Sequence, residues 1–160
     1  MIHNVGIAQM KISGVREDVL VTHALGSCLG IAIYDYKTGV GALSHLMLPA
    51  AAADPDKARQ NPLVYVDSGV RAMVDGCLQA GAAKPRLVVK AAGGASAHGD
   101  GEDDLFQIGK RNYIMLRRVL WEMGMMLKSH DVGGNCSRMM SLHIATGEVQ
   151  LKISGQTIIL

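Results

Sequence analysis

Two stretches of helical periodicity lie in the middle of a chain whose ends are made of short strand-like runs, and that order constrains the fold more than any other feature. In the first stretch Val66, Val70, Met73, Val74, Cys77 and Leu78 recur at helical intervals, and Gly81 sits where a C-terminal cap belongs. The second runs from about Gly109 to Met123. Its inner face is Ile108, Met115, Leu116, Val119, Leu120 and Met123, with Gly124 beyond its end. Before the helices come four strand candidates, Val5 to Ile12, Asp18 to His23, Leu29 to Tyr36 and Val40 to Leu48. Lys37-Thr38-Gly39 joins the last two as a hairpin turn, with Gly39 supplying a left-handed backbone position. Ala50 to Pro62 follows Pro49 without a period and reads as a loop, the mobile part of the chain, directly after His45. Arg86 to Ala92 reads as a buried strand that ends in Gly93-Gly94, and the loop there continues past Gly101. Met125 to Ser129, Arg138 to Ile144 and Glu148 to Ile153 are the remaining strands, the last two joined at Thr146-Gly147. Two amphipathic helices need one sheet face to cover, and the other strands need a further layer. The expected class is therefore α+β, drawn as a layered α/β/β sandwich.

Composition removes several function classes. A length of 160 residues fits a single domain spanning 1–160. Sixteen Lys and Arg stand against 14 Asp and Glu, so the net charge of +2 gives no long-range attraction for a polyanion. Four Tyr, one Trp and one Phe are too few for the stacking platforms of single-strand binders, so nucleic acid is not an expected partner. No apolar run reaches the roughly 18 residues of a spanning helix. The longest, Gly41 to Ala53, is broken by Ser44, His45 and Pro49, so membrane insertion is not expected. The first residues lack a basic stretch followed by a long apolar one, which reads as no secretory signal and a cytoplasmic location.

Cys28, Cys77 and Cys136 contain no C-x-x-C pair and no zinc-like Cys/His spacing, so each thiol is judged singly. Cys28 follows Gly26-Ser27 on a small-residue turn between two strand-like runs. Such a turn can expose a sulfur, and its unpaired N–H groups could hold an oxyanion. A nucleophilic thiol needs a nearby base, and His45, alone in an apolar strand, is the candidate. If the hairpin turns about Thr38, His45 falls opposite Ile31, three residues and about 10 Å from Cys28. A contact then requires Cys28 to leave the strand on the preceding turn, or a bulge to shift the register. Thr22, on the neighbouring strand, could orient the imidazole. The alternatives are a buried Cys28 acting as a small hydrophobe and a His45 satisfied in the core. Cys77 lies in the apolar stripe of the first helix and reads as structural. Cys136 is on a loop with no His close in sequence.

Gly93-Gly94-Ala95-Ser96 lacks the phosphate-binding glycine patterns and reads as a turn. His3, His23, His98, His130 and His143 are scattered with no paired metal-binding pattern, so no metal is expected. Lys110, Arg111, Arg117 and Arg118 read as a solvated helix face, with docking of an acidic helical partner as the alternative.

Thr22-His23-Ala24-Leu25-Gly26-Ser27-Cys28, followed by His45-Leu46-Met47-Leu48-Pro49, closely resembles the paired signatures of the CheD family of chemoreceptor glutamine deamidases. The resemblance continues through Tyr65-Val66-Asp67, Gly93-Gly94-Ala95, Ile108-Gly109-Lys110-Arg111-Asn112 and Asp131-Val132-Gly133-Gly134-Asn135. It implies an α/β/β sandwich similar to the catalytic domain of cytotoxic necrotizing factor toxins. It also implies a catalytic set of Cys28, His45 and Thr22. Gly26 and Ser27 then line the site or its oxyanion turn, and no cofactor is required. Ala24 and His23, and the acidity of Ala95 to Asp104, depart from the family pattern. The implied substrates are glutamines on the cytoplasmic helical region of chemotaxis receptors, hydrolysed through a thioester, and a CheC-like phosphatase is an implied partner. The competing expectations are a non-catalytic adaptor that binds receptors or regulates that phosphatase, and a general cysteine hydrolase using the same residues.

Overall fold

A computed structural model describes residues 1–96 and 106–160. The expected features at His98, at Gly101 and through the rest of the acidic run fall largely outside the described residues. The strands form two five-stranded sheets. One contains β1 (Ile2–Asn4), β3 (Val19–Leu25), β8 (Arg138–His143), β9 (Val149–Ile153) and β10 (Gln156–Ile159), in that order. The other runs in the order β2 (Gln9–Ser13), β5 (Val40–Leu46), β4 (Leu29–Asp35), β6 (Leu87–Gly93) and β7 (Leu127–Val132).

Strand alternation decides which residue enters which layer. Every residue of β4 and β5 is buried, because both faces of this sheet are covered. Leu29, Ile31 and Ile33 of β4, with Val40, Ala42 and Leu46 of β5, pack against α2 (Val66–Gln79) and α3 (Ile108–Glu122). Ala32, Tyr34 and Leu43 point the other way, onto Leu20, Leu25, Met140, Leu142 and Leu151 of the first sheet. The layers are helices, sheet and sheet, the α+β sandwich anticipated. By the same parity His45, two residues beyond Leu43, lies on the face turned toward the first sheet. At the far end of β4 a buried Asp35 accepts from Arg86 Nε at 3.0 Å and from the N–H groups of Ala83 and Lys37 at 3.0 and 2.9 Å. The Arg86 guanidinium holds that carboxyl well below the usual range.

Several local expectations change. Val5 to Ile12 is not one strand: β1 and β2 belong to different sheets, and the chain crosses between them at Gly6–Ala8, with Ala8 in the left-handed region at φ 56°. Ala50 to Pro62 is not a structureless loop. It holds a 3-10 turn at Ala51–Ala53, the helix α1 (Pro55–Gln60) and the start of a second 3-10 turn, Pro62–Val64. Asp54 caps α1 by accepting from the Lys57 N–H, and Pro55 occupies its first turn. Asn61 then caps the next turn and donates to the Ala8 carbonyl at 3.1 Å, pinning the segment to the sheet crossing. β7 ends three residues later than expected, and β10 adds a strand whose Ser154-Gly155 turn has both φ values positive, 50° and 79°.

Candidate active site

The hairpin register differs by one residue from the expectation: His45 pairs with Gly30, not Ile31. The loop is four residues long, from Tyr36 to Gly39 between the paired Asp35 and Val40, rather than a turn centred on Thr38. The difference has a chemical consequence. Cys28 is two residues from Gly30, an even separation, so it shares the parity of the face that carries His45. It packs against the core between the sheets. Of the two anticipated devices the turn is present, because the chain leaves β3 at Leu25 for a turn over Gly26–Cys28. The β4–β5 hairpin has no bulge, the irregularity lying in β3 against β8, and no hydrogen bond joins His45 Nε2 to the Cys28 thiol. Thr22 pairs with Met140 and Leu25 with Arg138, so three steps on β3 match two on β8, with Ala24 at φ 55° absorbing the extra residue. The bulge keeps Thr22 inward and turns Leu25 inward as well, and it expels His23 and Ala24 to the surface.

Thr22 and His45 come from opposite sheets and meet in the gap. Thr22 Oγ1 lies 2.8 Å from His45 Nδ1 and donates to the Val5 carbonyl, also at 2.8 Å. A hydroxyl has one proton and a carbonyl only accepts, so Thr22 must accept from His45. Nδ1 therefore carries the hydrogen, and the lone pair of the neutral ring is on Nε2. Nε2 is buried with no hydrogen-bond partner among the described residues. Thr22 and His45 are 0% and 1% exposed, and burial pushes the imidazole pKa below its ordinary 6.5. The ring is neutral at pH 7, with its basic nitrogen uncommitted.

The Cys28 turn is held from behind. The Ala95 N–H donates to the Gly26 carbonyl at 2.8 Å and the Gly94 N–H to that of Cys28 at 2.9 Å. Asn112, fully buried on α3, donates through Nδ2 to the carbonyls of Ser27 and Met47, both at 2.9 Å. One carboxamide thus joins the cysteine turn to the chain just past His45. Gly93 makes the close approach possible: a Cβ there would stand 2.2 Å from the Cys28 carbonyl oxygen, and its φ is +114°. Arg138 braces the opposite side, donating from Nη1 to the Gly93 carbonyl at 3.2 Å and from Nε to Asp131 at 2.9 Å. The half-buried Cys28 thiol has its pKa raised by burial, partly offset by its own backbone N–H. Asn112 and Arg138 escape a search for nucleophiles and bases. The available signal for Asn112 was a carboxamide on the otherwise apolar inner face of an amphipathic helix.

The other thiols are elsewhere. Cys77 is buried in α2 and pushed up to about 12 by burial, while Cys136 is exposed. Among the described residues no group of three His, Cys, Asp or Glu side chains could hold a metal ion, and no helix is long and apolar enough to cross a membrane.

Residues 47–153 match the family model described as CheD chemotactic sensory transduction. The chain belongs to the CheD family. A relative from Solibacter usitatus is 41% identical over 95% of this chain and 89% of its own, and one from Syntrophus aciditrophicus is 42% identical over 94% and 93%. A third, from Pyrococcus abyssi, is 39% identical over 96% and 94%. All three are named probable chemoreceptor glutamine deamidase CheD. The CheD family match begins two residues after His45, whereas these pairwise likenesses run long enough to take in Thr22, Cys28 and His45. The crystal structure of Neisseria meningitidis protein NMB0706 aligns at a TM-score of 0.45 and 11% identity over 83% of this chain and 62% of that one, a likeness too loose to bear on function.

Proposed function

We propose that this protein hydrolyses the side-chain amide of specific glutamines on chemotaxis receptors, with Cys28 as nucleophile, His45 as general base and acid, and Thr22 as the residue that positions the imidazole. The observation that carries the reading is the state of His45: Nδ1 spent on Thr22, Nε2 buried and unpartnered, in a chain of the CheD family. The names of its relatives support a chemoreceptor as substrate.

The shifts of the two groups fit a neutral resting pair rather than a preformed thiolate and imidazolium. In this reading the proton moves with the attack. Nε2 takes the Cys28 proton as sulfur bonds to the carboxamide carbon, and the carbonyl electrons collect on oxygen. The carbonyls of Gly26, Ser27 and Cys28 are consumed by donors behind the turn, so its N–H groups are the polar edge left for that oxyanion. The tetrahedral intermediate collapses as the C–N bond breaks. Nε2–H returns its proton to the nitrogen, and ammonia leaves a thioester. Water then attacks the thioester carbon and gives a proton to Nε2, and the C–S bond breaks. The sulfur recovers that proton, and glutamate is released. No group outside the chain is needed.

The test is mass spectrometry of a receptor cytoplasmic fragment incubated with the protein and with Cys28→Ala. Conversion of glutamine to glutamate by the wild type alone supports the assignment. Binding without conversion by the wild type moves the protein to the adaptor role.

A further inference from the structure

The face of α3 turned away from the core is solvent-exposed, as its charges suggest, but it is not uniformly polar. Ile114, Arg117, Arg118 and Trp121 share it at helical spacing, so two large apolar side chains two turns apart bracket a pair of guanidiniums. Trp121 is 83% exposed and, beyond the helix, Met126 is 85% exposed. Met126 lines two grooves of about 750 and 420 Å³, which also share Met125, Leu127 and Lys128. Tyr113 and His130, ring centroids 5.2 Å apart, line the smaller one, and Lys84 the larger. Isolated apolar residues on a surface need no explanation, but a grooved cluster of this kind marks an interaction site.

Charge selects the occupant. Arg117, Lys128 and Lys84 rim the grooves with no ion pair among the described residues, while the nearby Glu122 is neutralised by Arg71 and Arg118 at 2.9 and 3.2 Å. A second copy docking face to face would set this positive rim against itself. An acidic segment with apolar side chains meets both requirements, and the two-turn spacing of Ile114 and Trp121 suits a helix laid along α3.

The surface also has a direction. The N-terminal turns of α3 lie at the cysteine turn, where Asn112 holds Ser27, and so does the C-terminal end of β7, where Val132 pairs with Gly93. From Asn112 to Trp121 is nine residues of helix, about 14 Å. From Val132 back to Leu127 is five residues of strand, about 17 Å. Both elements therefore lead from the exposed cluster to the cysteine turn. We propose that the Trp121–Met126 surface is an exosite that captures an acidic amphipathic helix of the substrate, about nine to eleven helical residues from the glutamine presented to Cys28. This inference rests on the deamidase reading.

The experiment compares the wild type with Arg117→Glu/Lys128→Glu, two exposed positions outside the catalytic set. Both act on an intact receptor cytoplasmic fragment and on a short peptide carrying only the modified glutamine and its immediate neighbours. The expected result is a KM for the fragment raised at least tenfold in the double variant, with kcat within twofold, and no difference between the proteins on the short peptide. A fragment KM within twofold of wild type overturns the exosite, and so does an equal loss on both substrates. If the wild type forms no glutamate, the deamidase reading fails on its own. Emission from Trp121, the only tryptophan, then decides: a salt-sensitive blue shift with the fragment that the double variant loses supports capture. Absence of that shift, or a shift driven by protein concentration alone, overturns it.

Discussion

Replacing Thr22 by valine removes one oxygen at constant shape and tests the reading of His45 directly. In the wild type the Thr22 hydroxyl spends its proton on Val5 and accepts from Nδ1, which leaves the lone pair on Nε2. In Thr22→Val the active tautomer keeps a hydrogen on Nδ1 that has no acceptor in a buried setting. Leaving such a donor unsatisfied costs about 1–3 kcal/mol. At about 1.4 kcal/mol per factor of ten, the preference for the active tautomer and ring orientation weakens by roughly 5- to 150-fold, and kcat falls by up to that factor with little change in KM. Thr22→Ser keeps the hydroxyl and should recover activity to within a few-fold. The assay is ammonia release from a receptor fragment, run beside urea unfolding so that lost stability is separated from lost turnover. A valine variant as active as wild type, or a serine variant as inactive as the valine one, refutes the reasoning.

Other consequences follow from the same structure. Because burial lowers the His45 pKa, the acid limb of kcat/KM should lie below pH 6.5, the limb being the loss of the base as it protonates; a limb at or above 6.5 counts against a buried base. Gly93→Ala forces a Cβ against the Cys28 carbonyl at a φ of +114°, and should cost about 2–4 kcal/mol in urea unfolding while displacing the thiol and lowering turnover. Asp35→Ala strands Arg86 and two N–H groups and should lose about 3 kcal/mol near neutral pH. The Asp35 carboxyl has a depressed pKa when folded, so its contribution is present above pH 4 and fades as the pH falls below that, and the gap between the wild-type and Asp35→Ala melting temperatures should be smaller at pH 3 than at pH 7. With a disulfide reagent at pH 8, Cys136 should react first and Cys28 more slowly, while Cys77, pushed up to about 12, should wait for unfolding.

The long periodic segments were legible because burial writes its period into the sequence. The stripe from Val66 to Cys77 became α2, and the run from Leu29 became a strand buried on both faces. The site was legible as residue types, a thiol on a small-residue turn and a histidine in an apolar strand. Its geometry was not, because a one-residue error in the hairpin reverses the parity that relates Cys28 to His45. The chain crossing at Gly6–Ala8 was missed because an apolar run does not announce a change of sheet. Helix α1 carries no apolar stripe and gives itself away only through Asp54-Pro55, a capping signal that hydrophobic periodicity ignores. Asn112 shows the remaining limit: a carboxamide on the apolar face of α3 signals a buried polar role, but nothing local says that it ties together the carbonyls of Ser27 and Met47.

Thr22 and His45 belong to separate sheets, 23 residues apart in sequence, and their contact spans the seam of the sandwich. The imidazole is armed only while the two layers hold their alignment. A small slip of one sheet over the other would release Nδ1 long before any helix melts. On the proposed reading, turnover is therefore a finer gauge of the sandwich's registration than any spectroscopic measure of its secondary structure.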